Sequence, residues 1–265
     1  MPNHVINKIT LDCSDERAKE IMEAVQYDPD PNDEEGTGLG TLDFNKLIPM
    51  PQSLMIEAGS STEQGIEIYL TAVNPNTRDY DLPKMPKDKF NQLVSDLNAE
   101  RLFAMYRTRL SDEEIQGATK YCSLEKLIDA GKQAIDNMLN YGATTWYDWS
   151  IKNWGTKWNS YDNWKDNDKE FQFSTAWSAP HPVLDALAKK YPDVGITHEW
   201  ADEDLGHNCG LSKYKNGKCY MLTNMDDIEN NETTIKRKIR FAAEAWGYDA
   251  DQILEEYADQ FDEEE

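Results

Sequence analysis

Short stretches in which hydrophobic and polar residues alternate are separated by stretches in which apolar residues recur every three or four positions. Alternation is typical of a strand with one buried face, and the longer spacing is typical of an amphipathic helix. Strands are therefore predicted at residues 5–11, 42–48, 157–162, 171–177, 194–200, 211–214 and 219–222. Helices are predicted at residues 14–25, 87–97, 123–139, 146–151, 183–191, 235–246 and 249–261, with one more starting at Ser111. Residues 66–73 fit either a strand or a short helix.

The order of these elements and a hairpin signal indicate an antiparallel α+β fold. Asn216-Gly217 separates the last two predicted strands, and Asn-Gly is the strongest short-range signal for a two-residue hairpin turn. The strands do not simply alternate with crossover helices, which argues against a parallel sheet.

Six of the tryptophans lie close together between residues 142 and 177. They are Trp146, Trp149, Trp154, Trp158, Trp164 and Trp177. The stretch is predicted to form a helix, a turn at Gly155 and two strands.

Two roles fit these tryptophans. Regularly spaced aromatic residues usually pack in a core, so most of the cluster is expected to be structural. The residues expected to be mainly structural are Trp146, Trp149, Trp158 and Trp177. The alternative is an aromatic platform with one exposed edge, formed by Trp154, Trp158, Tyr161 and Trp164.

Charge limits the classes of partner. The 265 residues carry a formal net charge of −23. Such a chain repels nucleic acid and anionic membranes over most of its surface, and it favours a basic partner. No apolar run reaches the length of a membrane span, the N-terminus lacks the apolar segment of a secretory signal, and the four cysteines are scattered. A cytoplasmic protein with reduced thiols is expected.

Five stretches resemble one known family. They are MPNHV at 1–5, FNKLIPMP at 44–51, WYDWSIKNWGTKW at 146–158, TAWSAPHPV at 175–183 and the segment 200–210. Together they are similar to the YubB-type ferredoxin-like family of bacteriophages and conjugative plasmids. The resemblance implies a ferredoxin-like antiparallel sheet packed by helices and an origin in a mobile genetic element. It implies no catalytic residues, and the long acidic C-terminal extension departs from the family's pattern.

With this fold, the chain is expected to divide into four segments. Residues 1–85 form the first strand–helix–strand part of the ferredoxin-like domain, and residues 86–141 form a helical insertion. Residues 142–224 complete the ferredoxin-like domain, and residues 225–265 form the acidic C-terminal helices.

Sequence motifs for metal binding, phosphate binding or catalysis are weak. His198, His207, Cys209 and Cys219 are metal-ligand types near the second hairpin, but they lack the close Cys pairs of structural zinc sites. Buried thiols in a hairpin are the favoured interpretation, and no metal or cofactor is expected. Gly36–Gly40 is glycine-rich but precedes a predicted strand, so it does not fit a phosphate-binding loop. No nucleophile motif is present, and no enzymatic activity is expected.

The leading hypothesis is that an acidic surface binds and inhibits a basic host protein, either a defence factor or a DNA-handling factor, by imitating nucleic acid. The residues proposed for this acidic face are Asp226, Asp227, Asp251, Glu255, Asp259 and Asp262. In a helix from residue 249, the last four recur at roughly one carboxylate per turn, about 5.4 Å. Two alternatives stay open: a nucleotide or single-stranded nucleic-acid binder that uses the tryptophan region, and an enzyme of unrecognised type.

Overall fold

The computed structural model describes residues 2–33, 36–73, 123–165, 167–229 and 231–257. The chain divides into two compact units. The sheet unit consists of Met1–Pro49 and Ser150–Glu265, and the helical unit consists of Met50–Trp149.

The described residues form six strands and seven α-helices. The strands are β1 (His4–Asp12), β2 (Tyr161–Lys165), β3 (Glu170–Ala176), β4 (Gly195–Asp202), β5 (Gly210–Lys215) and β6 (Lys218–Asn224). The helices are α1 (Asp15–Val25), α2 (Ser60–Val73), α3 (Leu124–Tyr141), α4 (Trp146–Trp154), α5 (His181–Lys190), α6 (Glu232–Ala245) and α7 (Ala250–Glu256).

The six strands form one antiparallel sheet in the order β2-β3-β1-β4-β5-β6. Apart from helices α2 to α4, which are inserted between α1 and β2, the elements β1, α1, β2, β3, α5 and β4 have the order βαββαβ of ferredoxin-like folds. The hairpin β5–β6 extends this core beyond β4. The predicted α+β class is confirmed. The hairpin turn is confirmed as well, since Asn216 and Gly217 have φ values of 52° and 74°, as a type I′ turn requires.

The two faces of the sheet are covered differently. Successive residues of a strand point to opposite faces. Val5 packs with Ala179 and Trp200 on one face. The next residue, Ile6, packs with a second cluster that includes Ala201 of β4 and Ala242 of α6. Helix α6 therefore lies on the opposite face of the sheet from the Val5 cluster, and this face is called the α6 face below.

The strand predicted at residues 42–48 is wrong. Phe44–Lys46 forms a 3₁₀ turn that Asp43 caps by accepting from the Asn45 amide. The Phe44 amide donates to the side chain of Asn159 over 2.8 Å. Because side chains satisfy these backbone donors, the segment needs no strand partner, and its apolar residues Leu42 and Phe44 are still completely buried.

The tryptophan-rich stretch forms the predicted helix, glycine turn and two strands, but the first strand lies at Tyr161–Lys165 and not at the predicted residues 157–162. Helix α4 ends at Trp154, Gly155 follows with φ of 81°, and strands β2 and β3 come next. A Cβ atom at Gly155 would lie 2.8 Å from Cδ of Pro182. Glycine is required here by its backbone angle and by this close approach.

In the helical unit, α2 and α3 cross at two glycines. A Cβ atom on Gly131 would overlap the backbone carbonyl of Gly65, and a Cβ atom on Gly65 would overlap the backbone around Leu127. Residues 66–73, for which the sequence fitted either a strand or a short helix, belong to helix α2. The predicted helix that follows the cap Ser123 is confirmed. The helices predicted at 87–97 and from Ser111 lie outside the described residues.

The C-terminal part contains α6 and α7. Asn231 caps α6, and Asp249 caps α7 by accepting from the amides of Asp251 and Gln252. Both helices were predicted. The part of the last predicted helix beyond Tyr257 lies outside the described residues. No helix in the described part of the chain is long and apolar enough to cross a membrane.

Candidate functional site

Two of the six tryptophans between residues 142 and 177 are core residues. Trp154 is 4% exposed, its indole Nε1–H donates to the Ile48 carbonyl over 2.9 Å, and its ring packs edge-on against Phe44. The hypothesis that placed Trp154 in an exposed platform is therefore wrong, because both its ring and its polar atom are satisfied inside the fold. Trp149 is 6% exposed, in agreement with the structural role expected for it.

Trp158 and Trp177 are exposed, contrary to the expectation that they are core residues. Their exposed fractions are 36% and 42%. The Lys157 Nζ lies 4.7 Å from the ring centroid of each, so the ammonium contacts both indoles. Such a contact attracts a cation to the negative face of the ring. Tyr161 packs edge-on against Trp158 with centroids 6.1 Å apart, and its hydroxyl lies 2.8 Å from Nδ1 of His4.

The backbone around these rings is held by side-chain hydrogen bonds. The Thr156 hydroxyl donates to the Ala176 carbonyl over 2.8 Å and accepts from the Ala176 amide over 3.2 Å. The Ser178 hydroxyl donates to the Gly155 carbonyl over 2.6 Å. These bonds join the loop before β2 to the end of β3, so the positions of Trp158 and Trp177 are fixed by the same contacts.

Trp177 has a left-handed backbone with φ of 74°, and so does Asn208 with φ of 41°. A left-handed non-glycine residue costs roughly 1–2 kcal/mol, less for asparagine, and is kept where surrounding contacts determine it. Here the Trp177 amide donates to the Asn3 carbonyl over 2.9 Å, and the Asn208 Nδ2 donates to the Trp177 carbonyl over 2.9 Å. The nearly buried Asp202 accepts from the side chains of both asparagines, each over 3.0 Å.

Asn208 also connects this tryptophan to a residue of the predicted acidic face. The Asn208 amide donates to Oδ2 of Asp226 over 2.9 Å. The backbone of Trp177, whose indole is exposed, and the exposed carboxylate of Asp226 are thus both hydrogen-bonded to one residue. We call the set Lys157, Trp158, Trp177, Asn208 and Asp226 the Asn208 site. Sequence reasoning missed the roles of Trp177 and Asn208, because a left-handed backbone angle at a non-glycine residue leaves no periodic signal.

The other acidic residues are placed as follows. Asp227 and Glu255 are exposed. Asp251 is exposed but forms an ion pair with Arg240 of α6, so part of its charge is compensated within the protein. Asp259 and Asp262 lie outside the described residues.

Within the described residues, the candidate metal ligands are not brought together into a metal site. His198 is completely buried between Asn7, 2.9 Å from its Nε2, and Ser212, 3.3 Å from its Nδ1. Burial lowers the pKa of His198 to about 3 and raises the pKa of the Cys209 thiol to about 11. His207 and Cys219 are exposed. Across the described ranges, no three His, Cys, Asp or Glu side chains are grouped to hold a metal ion.

Trp164 lies in a different place from Trp158. It lines a groove of about 330 Å³ together with residues of β1, β3, β4 and α6. Its neighbour across β2 and β3 is Gln172.

These features define an α+β protein with a ferredoxin-like sheet and a surface of fixed, exposed aromatic and acidic side chains. Residues 153–249 match the model of a family described as the ferredoxin-like domain in Api92-like protein. The matched segment contains β2 to β6, α5 and α6. It supports the ferredoxin-like domain that the sequence resemblance implied.

Two further comparisons with known proteins identify no function. The crystal structure of protein api92 from Yersinia pseudotuberculosis is similar with a TM-score of 0.36 and 11% identity, over 87% of this chain and 99% of that chain. No curated protein matches the sequence significantly.

Proposed function

We propose that this protein is a non-enzymatic accessory protein of a phage or plasmid that binds and inhibits a host protein with a basic surface, either a defence factor or a DNA-handling factor. The carrying observation is the Asn208 site, where hydrogen bonds from one residue hold both the exposed Trp177 and the exposed Asp226. Tryptophan is enriched among the residues that contribute most to protein–protein binding.

The site has the chemistry to receive a basic side chain. A guanidinium stacks on an indole and donates hydrogen bonds from its planar N–H groups to a carboxylate. The ring of Trp177 already attracts the ammonium of Lys157. Asn208 hydrogen-bonds to the Trp177 backbone and to the Asp226 carboxylate, and the Lys157 ammonium lies against the Trp177 ring. These groups therefore need little ordering on binding, and this lowers the entropic cost of association.

The overall charge supports the same class of partner. A net charge of −23 speeds the encounter with a basic protein and disfavours anionic competitors. Nucleic-acid-binding proteins have basic surfaces, so an acidic protein that occupies such a surface acts as a mimic of nucleic acid. The phage or plasmid origin rests on the sequence resemblance.

The test is a capture experiment with matched variants. Immobilised wild-type protein is incubated with host lysate at 50 and 300 mM NaCl, and the retained proteins are identified by mass spectrometry. Trp177→Ala combined with Asp226→Asn is expected to lose the partner. Tyr220→Ala, which removes a 63% exposed ring on β6, is expected to retain it. The affinity of the purified partner should fall about tenfold or more in the double variant, which corresponds to at least about 1.4 kcal/mol.

A second variant tests the predicted C-terminal acidic face. Asp251, Glu255, Asp259 and Asp262 are changed to Lys together, with circular dichroism as the check of the fold. Binding through an acidic face predicts a loss of about tenfold and a steep dependence on salt, because exposed charges are screened over about 10 Å near 0.1 M. If neither this variant nor the Trp177/Asp226 variant alters the retained proteins, the proposed function is wrong.

One observation favours a second candidate function, the binding of a nucleotide or of single-stranded nucleic acid. Lys157 contacts two exposed indoles. Many proteins that bind single-stranded nucleic acid use aromatic rings to stack bases and a nearby cation to neutralise phosphate. The acidic balance of the chain opposes it, so we expect no measurable binding near physiological salt. A fluorescence-anisotropy titration that gives submicromolar affinity for an oligonucleotide, lost in Trp158→Ala, would replace the first function with this one.

A further inference from the structure

The α6 face of the sheet carries a groove that is separate from the Asn208 site in its lining residues. Its floor is a row of side chains across four strands. Trp164 of β2 pairs with Gln172 of β3, Gln172 pairs with Lys8 of β1, and Lys8 pairs with Glu199 of β4. Neighbouring strands are about 4.8 Å apart, so three strand spacings place the backbones of Trp164 and Glu199 about 14 Å from each other.

The wall of the groove is the C-terminal end of α6. Phe241, Glu244 and Trp246 line it. The ring of Trp246 is fixed, since its Nε1–H donates to the Asp202 carbonyl over 3.0 Å and its face stacks on Tyr248 with planes 12° apart. Phe241 packs against the cluster of Ile6 and Ala201. The aromatic side of the groove is therefore rigid, while Trp164 on the opposite side is 42% exposed.

The charges of the groove favour a cation. Glu199 and Glu244 line it, and neither forms an ion pair within the described residues. The positive group is Lys8, whose Nζ lies 3.9 Å from Oε2 of Glu170, so a carboxylate outside the groove lining compensates it. The C-terminal end of α6, where the helix dipole is negative, adds a further preference for positive charge.

We infer that this groove binds the guanidinium group of an arginine side chain. The three aromatic rings provide faces for a planar cation, and the two carboxylates provide acceptors for its N–H groups. An arginine fits better than a lysine, because a planar guanidinium stacks on a ring and donates within its plane at the same time. The inference rests on the proposed function in one respect, namely that the arginine belongs to the basic partner.

The groove can be tested without that partner. The protein is produced with ¹⁵N label, and the indole N–H signals of Trp164 and Trp246 are assigned with Trp164→Phe and Trp246→Phe. N-acetyl-arginine amide is then titrated, with N-acetyl-citrulline amide as the neutral control of the same shape and N-acetyl-lysine amide as the non-planar cation. We expect saturable shifts of both indole signals with arginine, and an affinity about tenfold lower for citrulline.

Matched variants assign the binding to the groove. Glu199→Gln combined with Glu244→Gln keeps the size of both side chains and should weaken arginine binding about tenfold. Asp226→Asn is outside the groove and should leave it unchanged. Equal responses to arginine and citrulline, unchanged affinity in the double glutamine variant, or the absence of saturable shifts would each overturn the inference.

The two proposals fail separately. The arginine titration needs no partner, so a failure of the lysate capture leaves its result intact. Conversely, a partner lost in the Trp177/Asp226 variant but bound unchanged by the Glu199/Glu244 variant shows that the Asn208 site functions without the groove, and excludes a partner arginine from the groove.

Discussion

Asn208 donates a hydrogen bond from its side-chain amide to the carbonyl oxygen of Trp177, 2.9 Å away, and both residues have a left-handed backbone. Residues that differ in position by 31 along the chain thus stabilise each other in an unfavourable conformation. The left-handed backbone at Trp177 is held by these contacts at the end of the sheet, and its indole is exposed.

Replacing Asn208 tests that relationship. Asn208→Ala removes two side-chain hydrogen bonds and leaves alanine, which tolerates the left-handed region less well than asparagine, at φ of 41°. We therefore expect a loss of about 2–4 kcal/mol in the free energy of unfolding. Asn208→Gly loses the same hydrogen bonds but accepts the backbone angle. It should be about 1 kcal/mol more stable than Asn208→Ala in urea denaturation. Equal stability of the two variants would mean that the backbone at this position is not strained.

The different burial of two tryptophans predicts different costs of truncation. Trp149→Ala should cost about 3–5 kcal/mol, because it empties a buried site. Trp158→Ala should cost about 1 kcal/mol or less, since the side chain is already 36% exposed. Urea unfolding of the two variants measures both values under the same conditions. Similar losses would show that Trp158 contributes to the core as much as Trp149 does.

His198 makes the stability of the sheet unit sensitive to acid. Burial lowers its pKa from 6.5 to about 3, and the nearby His181, whose own pKa is lowered by burial, acts in the same direction. The unfolded chain therefore binds a proton near pH 6.5 that the folded chain does not accept. The free energy of unfolding is not reduced by His198 above pH 6.5. As the pH decreases from 6.5 toward 3, protonation of this residue in the unfolded chain lowers the free energy of unfolding by at most about 1.4 kcal/mol per pH unit.

The contribution of His198 is measured by comparison with His198→Gln. The variant keeps a donor for Asn7 but cannot titrate. Its free energy of unfolding at pH 7, 6 and 5 should change less steeply than that of the wild type. The exposed carboxyl groups of Asp168 and Asp193, whose pKa values are lowered by ion pairing, remain in both proteins and cancel in the comparison. Identical slopes would exclude His198 as a source of acid sensitivity.

Gly131 tests the crossing of α2 and α3. In the interior of a helix, Gly→Ala normally stabilises by about 0.5–1 kcal/mol. Here the new Cβ atom would overlap the carbonyl of Gly65, so we expect Gly131→Ala to destabilise the helical unit by about 1–3 kcal/mol. Lys132→Ala, at the next and exposed position, serves as the control and should change stability by no more than about 0.5 kcal/mol. Thermal unfolding followed by circular dichroism is the measurement, and a stabilised Gly131→Ala would contradict the close crossing.

Several features follow from the amino-acid sequence by itself. Alternation of apolar and polar residues predicted β1 and β3, Asn216-Gly217 predicted the hairpin, and the caps Ser14 and Ser123 predicted two helix starts. These features depend on residues that are close together in the chain. Local geometry and side-chain spacing determine them before any distant contact forms.

Only the tertiary structure decided which apolar side chains of the predicted elements are buried and which are exposed. Leu42 and Phe44 alternate with polar residues as a strand would, yet side chains of the distant Asn159 and Asn163 bind their backbone amides and leave a 3₁₀ turn. Trp154 is buried and Trp177 is exposed, although both belong to the same aromatic stretch. Periodicity shows which side chains share a face of an element, but only the packing of elements that are distant in sequence determines whether that face meets protein or water.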